Sequence, residues 1–482
     1  MPEILAGEPG HQAGWGRQPP EEKSCEAHFS HRLDFGLRNA TFPDMRNDSI
    51  ISARAVPQRA IARNLRMGGV AGGILGSTLG VLTADLLRGR RPDLAQAALT
   101  PANALRLAGG LGHLRGAAMK LGQMMSMENG FALPPELAAI LGQLQANAPA
   151  MPPKQLKSVL SSEWGPDWHK QFARFDVQPI AAASIGQVHR AQLRDGSDLA
   201  VKVQFPGVAE SIDSDIATLG RLMRLPGVLP KGMEIASLLE QARAQLHEEA
   251  DYTREAVALE GFGASMQGDD AFIVPRFHAR HSTSRILAMD FVESTPIEAL
   301  ATAPEEDRNL AVSRLITLVL REIFDFGFMQ TDPNFANYRL APNGRIVLLD
   351  FGATRRIAPE VAMQYQTLLR AFLAQDRPAI WQQMLSLGYF SPDQPEARQA
   401  LIVDLAIQAS APLRQDTPYD FARSTLIEDL ALAGAELGAE REFWHVPPAD
   451  LLFMHRKIGG MFLLAQRLRA NVALRPLLEG WA

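Results

Sequence analysis

One cysteine in 482 residues, Cys25, permits no intramolecular disulfide and cannot build a cysteine-rich zinc site, so the chain fits a reducing compartment. Positive charge is not in excess either. The 48 Lys+Arg against 53 Asp+Glu give a net charge of −5, so no global basic field exists to hold a nucleic-acid backbone. Long apolar spans are missing: Met67 to Ala84 is an uncharged run of 18 residues, at the lower limit for a hydrocarbon core of ~30 Å, and six of its residues are glycine. The run Met454 to Leu468 carries His455, Arg456, Lys457 and Arg467, which excludes a C-terminal span. No G-x-x-x-x-G-K-[ST] occurs, the glycines at 109, 110, 112 and 116 miss the dinucleotide register, and His247-Glu248-Glu249-Ala250-Asp251 departs from a zincin helix at its fifth position.

What remains is a globular composition, 46% hydrophobic and 21% charged, in a chain about three times the size of a typical domain, so two or three cooperating units are expected. Residues 1–50, interrupted by glycine and proline, read as a disordered tail without a charged-then-apolar signal, and Met45 is an alternative initiator. Residues 51–100 form a basic, glycine-rich segment: seven arginines against Asp85 leave +6 over 51–91. Gly68/Gly72, Gly72/Gly76 and Gly76/Gly80 have the spacing at which helices approach closely in lipid, and a helix packed on its own domain remains an equal reading. A helical extension is expected over 101–165, an N-terminal lobe over 166–292 and a C-terminal lobe with further helices over 293–482. Strand-like runs at 187–193 and 199–204 flank Arg194-Asp195-Gly196-Ser197, a hairpin signal. Helical spacing covers 211–225 and 235–262, and strands are expected at 272–277, 285–289 and 346–349.

Four features occur in the order of a protein-kinase-like nucleotide site. The run Ala181-Ala182-Ala183-Ser184-Ile185-Gly186-Gln187-Val188 fits the glycine-loop template with alanine at the first two glycine positions. Lys202, in Leu199-Ala200-Val201-Lys202-Val203, follows one hairpin later, where a phosphate-binding lysine belongs. Asp332 and Asn337 stand five apart, as a nucleophile-orienting carboxylate and a metal ligand do in a kinase catalytic loop. Asp350-Phe351-Gly352 comes 18 residues after Asp332, at the end of an apolar strand, where a divalent cation needs an oxygen donor. Each motif alone has a bland reading as a loop, an edge residue or a cap, and the order is what argues for the site.

With these residues the chain resembles the UbiB/AarF family of atypical kinase-like proteins, linked to ubiquinone biosynthesis. The family's alanine loop is matched by Ala181 to Gly186, its Lys-x-Gly-Gln helix by Lys120 to Gln123, and its Glu-x-Asp element by Glu249 to Asp251, followed by Glu255 as partner of Lys202. The resemblance implies an α+β, two-lobed protein-kinase-like fold, with an N-terminal helical extension over the active site and extra C-terminal helices. It implies ATP and Mg²⁺ as cofactors, with Asp350 and Asn337 on the metal, Met289 to Glu293 as the adenine hinge, and Glu249 or Asp251 as partners for Lys120 and Gln123. The implied function is an ATP-dependent atypical kinase or ATPase supporting quinone or isoprenoid-lipid synthesis, peripheral to a bacterial inner membrane. Its implied partners are a membrane lipid or quinone precursor, a lipid-biosynthetic complex or a second copy of the chain, with no nucleic acid. A nucleotide-gated scaffold is the alternative, and a true protein kinase comes third. Two departures stand out: Asn334, Phe335 and Ala336 replace the family's usual His, Pro and Gly, and Ala358-Pro359-Glu360 follows Asp350 by only eight residues, too few for a peptide-docking segment.

Overall fold

Pro153 opens helix α1 (Pro153–Trp164), where its fixed φ suits the first turn, and Leu156, Val159 and Leu160 recur at helical spacing to give one buried face. That face packs on a sheet built from β1 (Phe172–Phe175), β2 (Ala181–Ala182), β3 (Gly186–Leu193), β4 (Asp198–Gln204) and, further along the chain, Ile286–Asp290. The computed structural model describes residues 150–183, 185–224, 236–439 and 447–481, with scattered positions between Gly69 and Lys120. Ser184, Gln123 and the N-terminal tail lie outside the described residues.

The β3–β4 hairpin forms as its sequence requires. Gly196 takes φ 91°, a conformation that needs glycine, and the Ser197 amide donates to Asp195 Oδ1 at 2.9 Å. Alternation then sorts the side chains of β4: Leu199, Val201 and Val203 are buried with α1, which turns Lys202 to the opposite face. Lys202 stands in register with Val188 on β3. Met151, Leu156 and Leu160, all before residue 165, share a core with the sheet.

Helices α2 (Ile212–Met223), α3 (Ala236–Glu249) and α4 (Tyr252–Ser265) follow. The single helical run expected over 235–262 is two helices. Asp251 leaves helical geometry and its side chain accepts from the amides of Thr253 and Arg254, capping α4. The strand expected over 272–277 is cut to β5 (Phe272–Ile273), since Pro275 has no amide for a ladder, and only an isolated bridge joins Phe277 to Met289. β6 (Ile286–Asp290) closes the first sheet, and β7 (Thr295–Pro296) leads into the helical lobe.

That lobe begins with α5 (Glu305–Arg321), whose first turn carries Glu305, Glu306 and Asp307 against the helix dipole. A single π turn, Glu322–Phe326, ends it at left-handed Gly327, φ 68°. β8 (Phe328–Gln330), β9 (Tyr338–Leu340), β10 (Ile346–Leu348) and β11 (Thr354–Arg356) carry the motif loops. β10 lies between β5 and β9, and β8 pairs with β11. α6 (Pro359–Ala374), α7 (Arg377–Leu387), α8 (Glu396–Ala409), α9 (Leu426–Ala439) and α10 (Ala449–Arg467) follow, with the short antiparallel strands Tyr419–Asp420 and Asn471–Val472 and a last turn of helix at Arg475–Leu478. Met454, Met461, Leu464 and Ala465 bury α10 in the main core, each long side chain contributing roughly 1.5–3 kcal/mol.

In the glycine-rich segment the described positions 69, 72, 76 and 80 are helical and exposed, and a Cβ at any of them meets nothing within 4 Å. Among the described residues no helix is long and apolar enough to cross a membrane.

Candidate active site

The centre of the site is a three-charge cluster. Lys202 Nζ donates to both oxygens of Glu255, at 2.9 and 2.8 Å, and lies 3.5 Å from Asp350 Oδ2. β4 supplies the lysine, the first turn of α4 the glutamate, and the end of β10 the aspartate. Tyr252 roofs the ammonium, its ring centroid 5.1 Å from Nζ. Burial works against the charge on Lys202, but Asp350 and Glu255 outweigh it and raise its pKa well above the ordinary value. Two carboxylates share this one cation. Burial pushes the deeper of them, Glu255, up to about 7, with Lys202 opposing and Asp350 adding. Burial also opposes the charge of Asp350, yet Lys202 and the Gly352 amide hold its carboxyl below the usual range.

The pH dependence follows from the sign of the Glu255 shift. The native carboxyl titrates at about 7 against 4.5 in the unfolded chain. Its contribution to stability is therefore fully present below the unfolded value and is lost as pH rises through the folded one. Glu255→Gln removes this titration. The melting temperature of the variant relative to wild type, without nucleotide, should climb between about pH 5 and about pH 8. A constant offset across that range overturns the assignment.

The glycine loop of the template is here a short strand. The Ala183 amide donates to Gly186 O at 2.9 Å, and Ala181 and Ala182 pair with Val188 and Gln187. Gly186 is retained for space, because a Cβ would stand 2.6 Å from Val203 O and 2.7 Å from the Tyr252 hydroxyl. A Cβ at Gly352 would lie 3.3 Å from Asp350 Oδ1 and 3.5 Å from Glu255 Oε2, a tight contact but not a clash. Asp350 itself has φ 58°, and its carbonyl accepts from Gln330 Nε2 at 3.1 Å. Phe351 is buried against Phe262 of α4, ring centroids 4.7 Å apart. Arg254 donates to Thr354 O at 2.9 Å, and Arg355 grips both oxygens of Glu248 at 3.0 and 3.1 Å, so α3 and α4 are tied to the segment after Asp350.

Lys120 reaches this cluster from the N-terminal extension. It is 1% exposed and pairs with Glu249. Burial opposes its charge, but Glu249 and Asp332 prevail and raise its pKa. Asp251, the other partner expected for it, is engaged as the α4 cap. Asp332 is half-buried, with the Asn334 amide 3.3 Å from Oδ1. Asn337 is buried and its Nδ2 has no hydrogen-bond partner. In the expected hinge, Met289 is a buried strand residue opposite Ala200, and Glu293 is exposed.

Oxygen donors from Asp350 and Asn337 fit a hard divalent ion that keeps water and phosphate ligands. Among the described residues no group of three or more His, Cys, Asp or Glu could hold a metal by itself.

Sequence reading misses a second polar cluster behind the Asp332 loop. Lys457 of α10, 1% exposed, pairs with Glu322 of the π turn at 3.2 Å and donates to Gln330 O, Gln330 Oε1 and the Tyr338 hydroxyl at 2.9, 3.1 and 2.8 Å. Gln330 precedes the Asp332 loop, Tyr338 follows Asn337, and the Gln330 amide holds the Asp350 carbonyl. α10 presses close here, since a Cβ at Gly460 would collide with Pro333. The sequence signal is a lysine inside an apolar helix, which by itself argues only against a membrane span.

An antiparallel five-stranded sheet facing a helical lobe, with a lysine–glutamate pair and motif loops between them, is a protein-kinase-like architecture. The ABC1 atypical kinase-like domain matches residues 143–384. The chain is 36% identical over 435 residues to the mitochondrial atypical kinase COQ8 of Saccharomyces cerevisiae, covering 89% of this chain and 86% of that one. It is 34% identical over 446 residues to the mitochondrial atypical kinase COQ8B of Rattus norvegicus, covering 92% and 84%. Among solved structures, a Mycobacterium tuberculosis protein in complex with erythromycin aligns with TM-score 0.56 and 25% identity, over 80% of this chain and 97% of that one. The chain belongs to the ABC1 atypical kinase-like (UbiB) family.

Proposed function

We propose that the protein is an ATP- and Mg²⁺-dependent atypical kinase or ATPase that serves ubiquinone or related isoprenoid-lipid biosynthesis at a membrane. The observation that carries this reading is the convergence of Lys202, Glu255 and Asp350 on one point, with Asp332 and Asn337 on the adjoining loop. Lys202, steadied by Glu255, binds the α and β phosphates. Asp350 and Asn337 would hold the ion, which when bound offsets the charge of the phosphates. Asp332 orients the attacking hydroxyl or water, and Lys120 with Glu249 closes the cleft from above.

A small-molecule acceptor is favoured over a protein. β11 ends at Arg356 and α6 begins at Pro359, so the chain has no room for the platform on which a peptide would dock. The relatives' names place those proteins in mitochondria, and the +6 segment 51–91 supports contact with anionic lipid here.

The test is Mg²⁺-dependent phosphate release from ATP by the purified full chain, with and without anionic phospholipid vesicles and a phenol resembling a quinone precursor. Release that needs Mg²⁺ and rises with vesicles is expected. Thermal stabilisation by ATP without any release moves the protein to a nucleotide-gated scaffold. Neither stabilisation nor release overturns the reading.

A further inference from the structure

Arg456 lies beside Lys457 on α10 and one helical turn before Gly460, the residue that abuts Pro333, so Arg456 and Gly460 share the face turned to the Asp332 loop. Its Nε and Nη2 are both buried without a hydrogen-bond partner, and among the described residues no other arginine has two such nitrogens. Of the carboxylates nearby, Glu249 pairs with Lys120 and Glu322 with Lys457, while Asp332 acts on Lys120 without forming an ion pair among the described residues. No described carboxylate forms an ion pair with Arg456. It also lies close enough to Lys120 to disfavour that ammonium's charge, which places two cations together beside Asp332 where only Lys120 forms an ion pair.

Arg456 is half-buried as a whole. A guanidinium cannot shed its charge, and burying two of its nitrogens without a partner is costly unless an anion arrives. We propose that Arg456 and Lys120 form an anion subsite beside Asp332 that receives a phosphate group. This rests on the nucleotide reading above and assigns the other side of the cleft: Lys202 takes the inner phosphates, and Arg456 offers its planar donors to a terminal or second phosphate. The phosphate has two possible sources, the γ-phosphoryl group of ATP or the phosphate of a second ligand.

The test uses the full chain as wild type, Arg456→Gln and Arg456→Lys. Inorganic phosphate is titrated by calorimetry and thermal shift into the free protein and into its Mg·ADP complex, and Mg·ADP is compared with a non-hydrolysable Mg·ATP analogue. Arg456→Gln should weaken phosphate binding, or the preference for the triphosphate over ADP, by about tenfold or more, with Arg456→Lys in between. Mg·ADP affinity should stay within about twofold in both variants, because the inner phosphates are held elsewhere.

Loss of the triphosphate preference assigns the subsite to the nucleotide. Loss of phosphate binding with that preference intact assigns it to a second ligand. Wild-type behaviour of Arg456→Gln in both arms overturns the subsite, as does wild-type behaviour of Arg456→Lys if the glutamine variant fails to fold. If the wild type binds no Mg·ADP, the nucleotide reading fails, while phosphate titration of the free protein still decides the role of Arg456.

Discussion

Asp350→Asn is expected to abolish the rise in melting temperature that Mg²⁺ and ATP give the wild-type chain, while leaving the nucleotide-free fold intact. Asparagine is the informative replacement because Asp350 sits at φ 58°, a left-handed conformation that asparagine tolerates and most residues do not. Its amide can still accept from Gly352 N, as Oδ1 does at 3.2 Å, and the Gln330 bond goes to the backbone carbonyl, which the substitution keeps. What disappears is one negative charge and a hard oxygen donor. In the empty cluster that loss is mild, since Lys202 keeps both of its bonds to Glu255 and no longer divides itself between two carboxylates.

With nucleotide the loss is large, because the ion then meets only two neutral amides, that of Asn337 and the one introduced in place of the carboxylate. Ligand at 100 times its dissociation constant stabilises a fold by about 2.7 kcal/mol, and most of this should vanish. Thermal-shift titration with Mg·ATP measures it. Wild-type stabilisation would remove Asp350 from the metal site. A variant that melts lower without nucleotide would mark Asp350 as structural instead.

Much of this site can be read in the sequence because its geometry is local. A hairpin places Lys202 opposite Val188 once Asp195-Gly196 fixes the turn, and a strand period of two then sends Lys202 to the face opposite Val201 and Val203. The glutamate partner is readable only through family resemblance. Glu255 lies 53 residues from Lys202 with two further helices between, and no spacing rule spans that insertion. The helix break at Ala250-Asp251 escapes the periodicity although aspartate is a strong cap, because apolar spacing continues across it.

The Lys457 cluster and the unpaired Arg456 are not readable for a different reason. A charged residue in an amphipathic helix is normally solvated, and only the docking of α10 against Pro333 decides otherwise. Tertiary packing carries that information.

The Lys457 cluster also yields a large expected stability effect. Lys457→Met leaves Glu322 buried at 1% exposure with no cation, and Gln330 and Tyr338 lose a shared donor. Breaking one side of a buried pair costs roughly 3–5 kcal/mol, whereas replacing both sides by apolar groups of similar volume is often neutral. Lys457→Met should therefore melt far below wild type, and Lys457→Met/Glu322→Met should recover most of the difference.

Function should not recover with it. Gln330 Oε1 is anchored by Lys457 and by the Tyr338 hydroxyl while Nε2 of the same amide holds the Asp350 carbonyl, so the double variant keeps its fold but leaves the amide that fixes Asp350 anchored by the tyrosine alone. Its nucleotide affinity should fall by about tenfold, since one charge-assisted bond has been removed from the support of a metal ligand. Chemical denaturation and Mg·ATP titration, run side by side on wild type and both variants, separate the two effects. A double variant as unstable as the single would show that Lys457 acts through packing alone, and one with wild-type nucleotide affinity would detach the buried cluster from the site it backs.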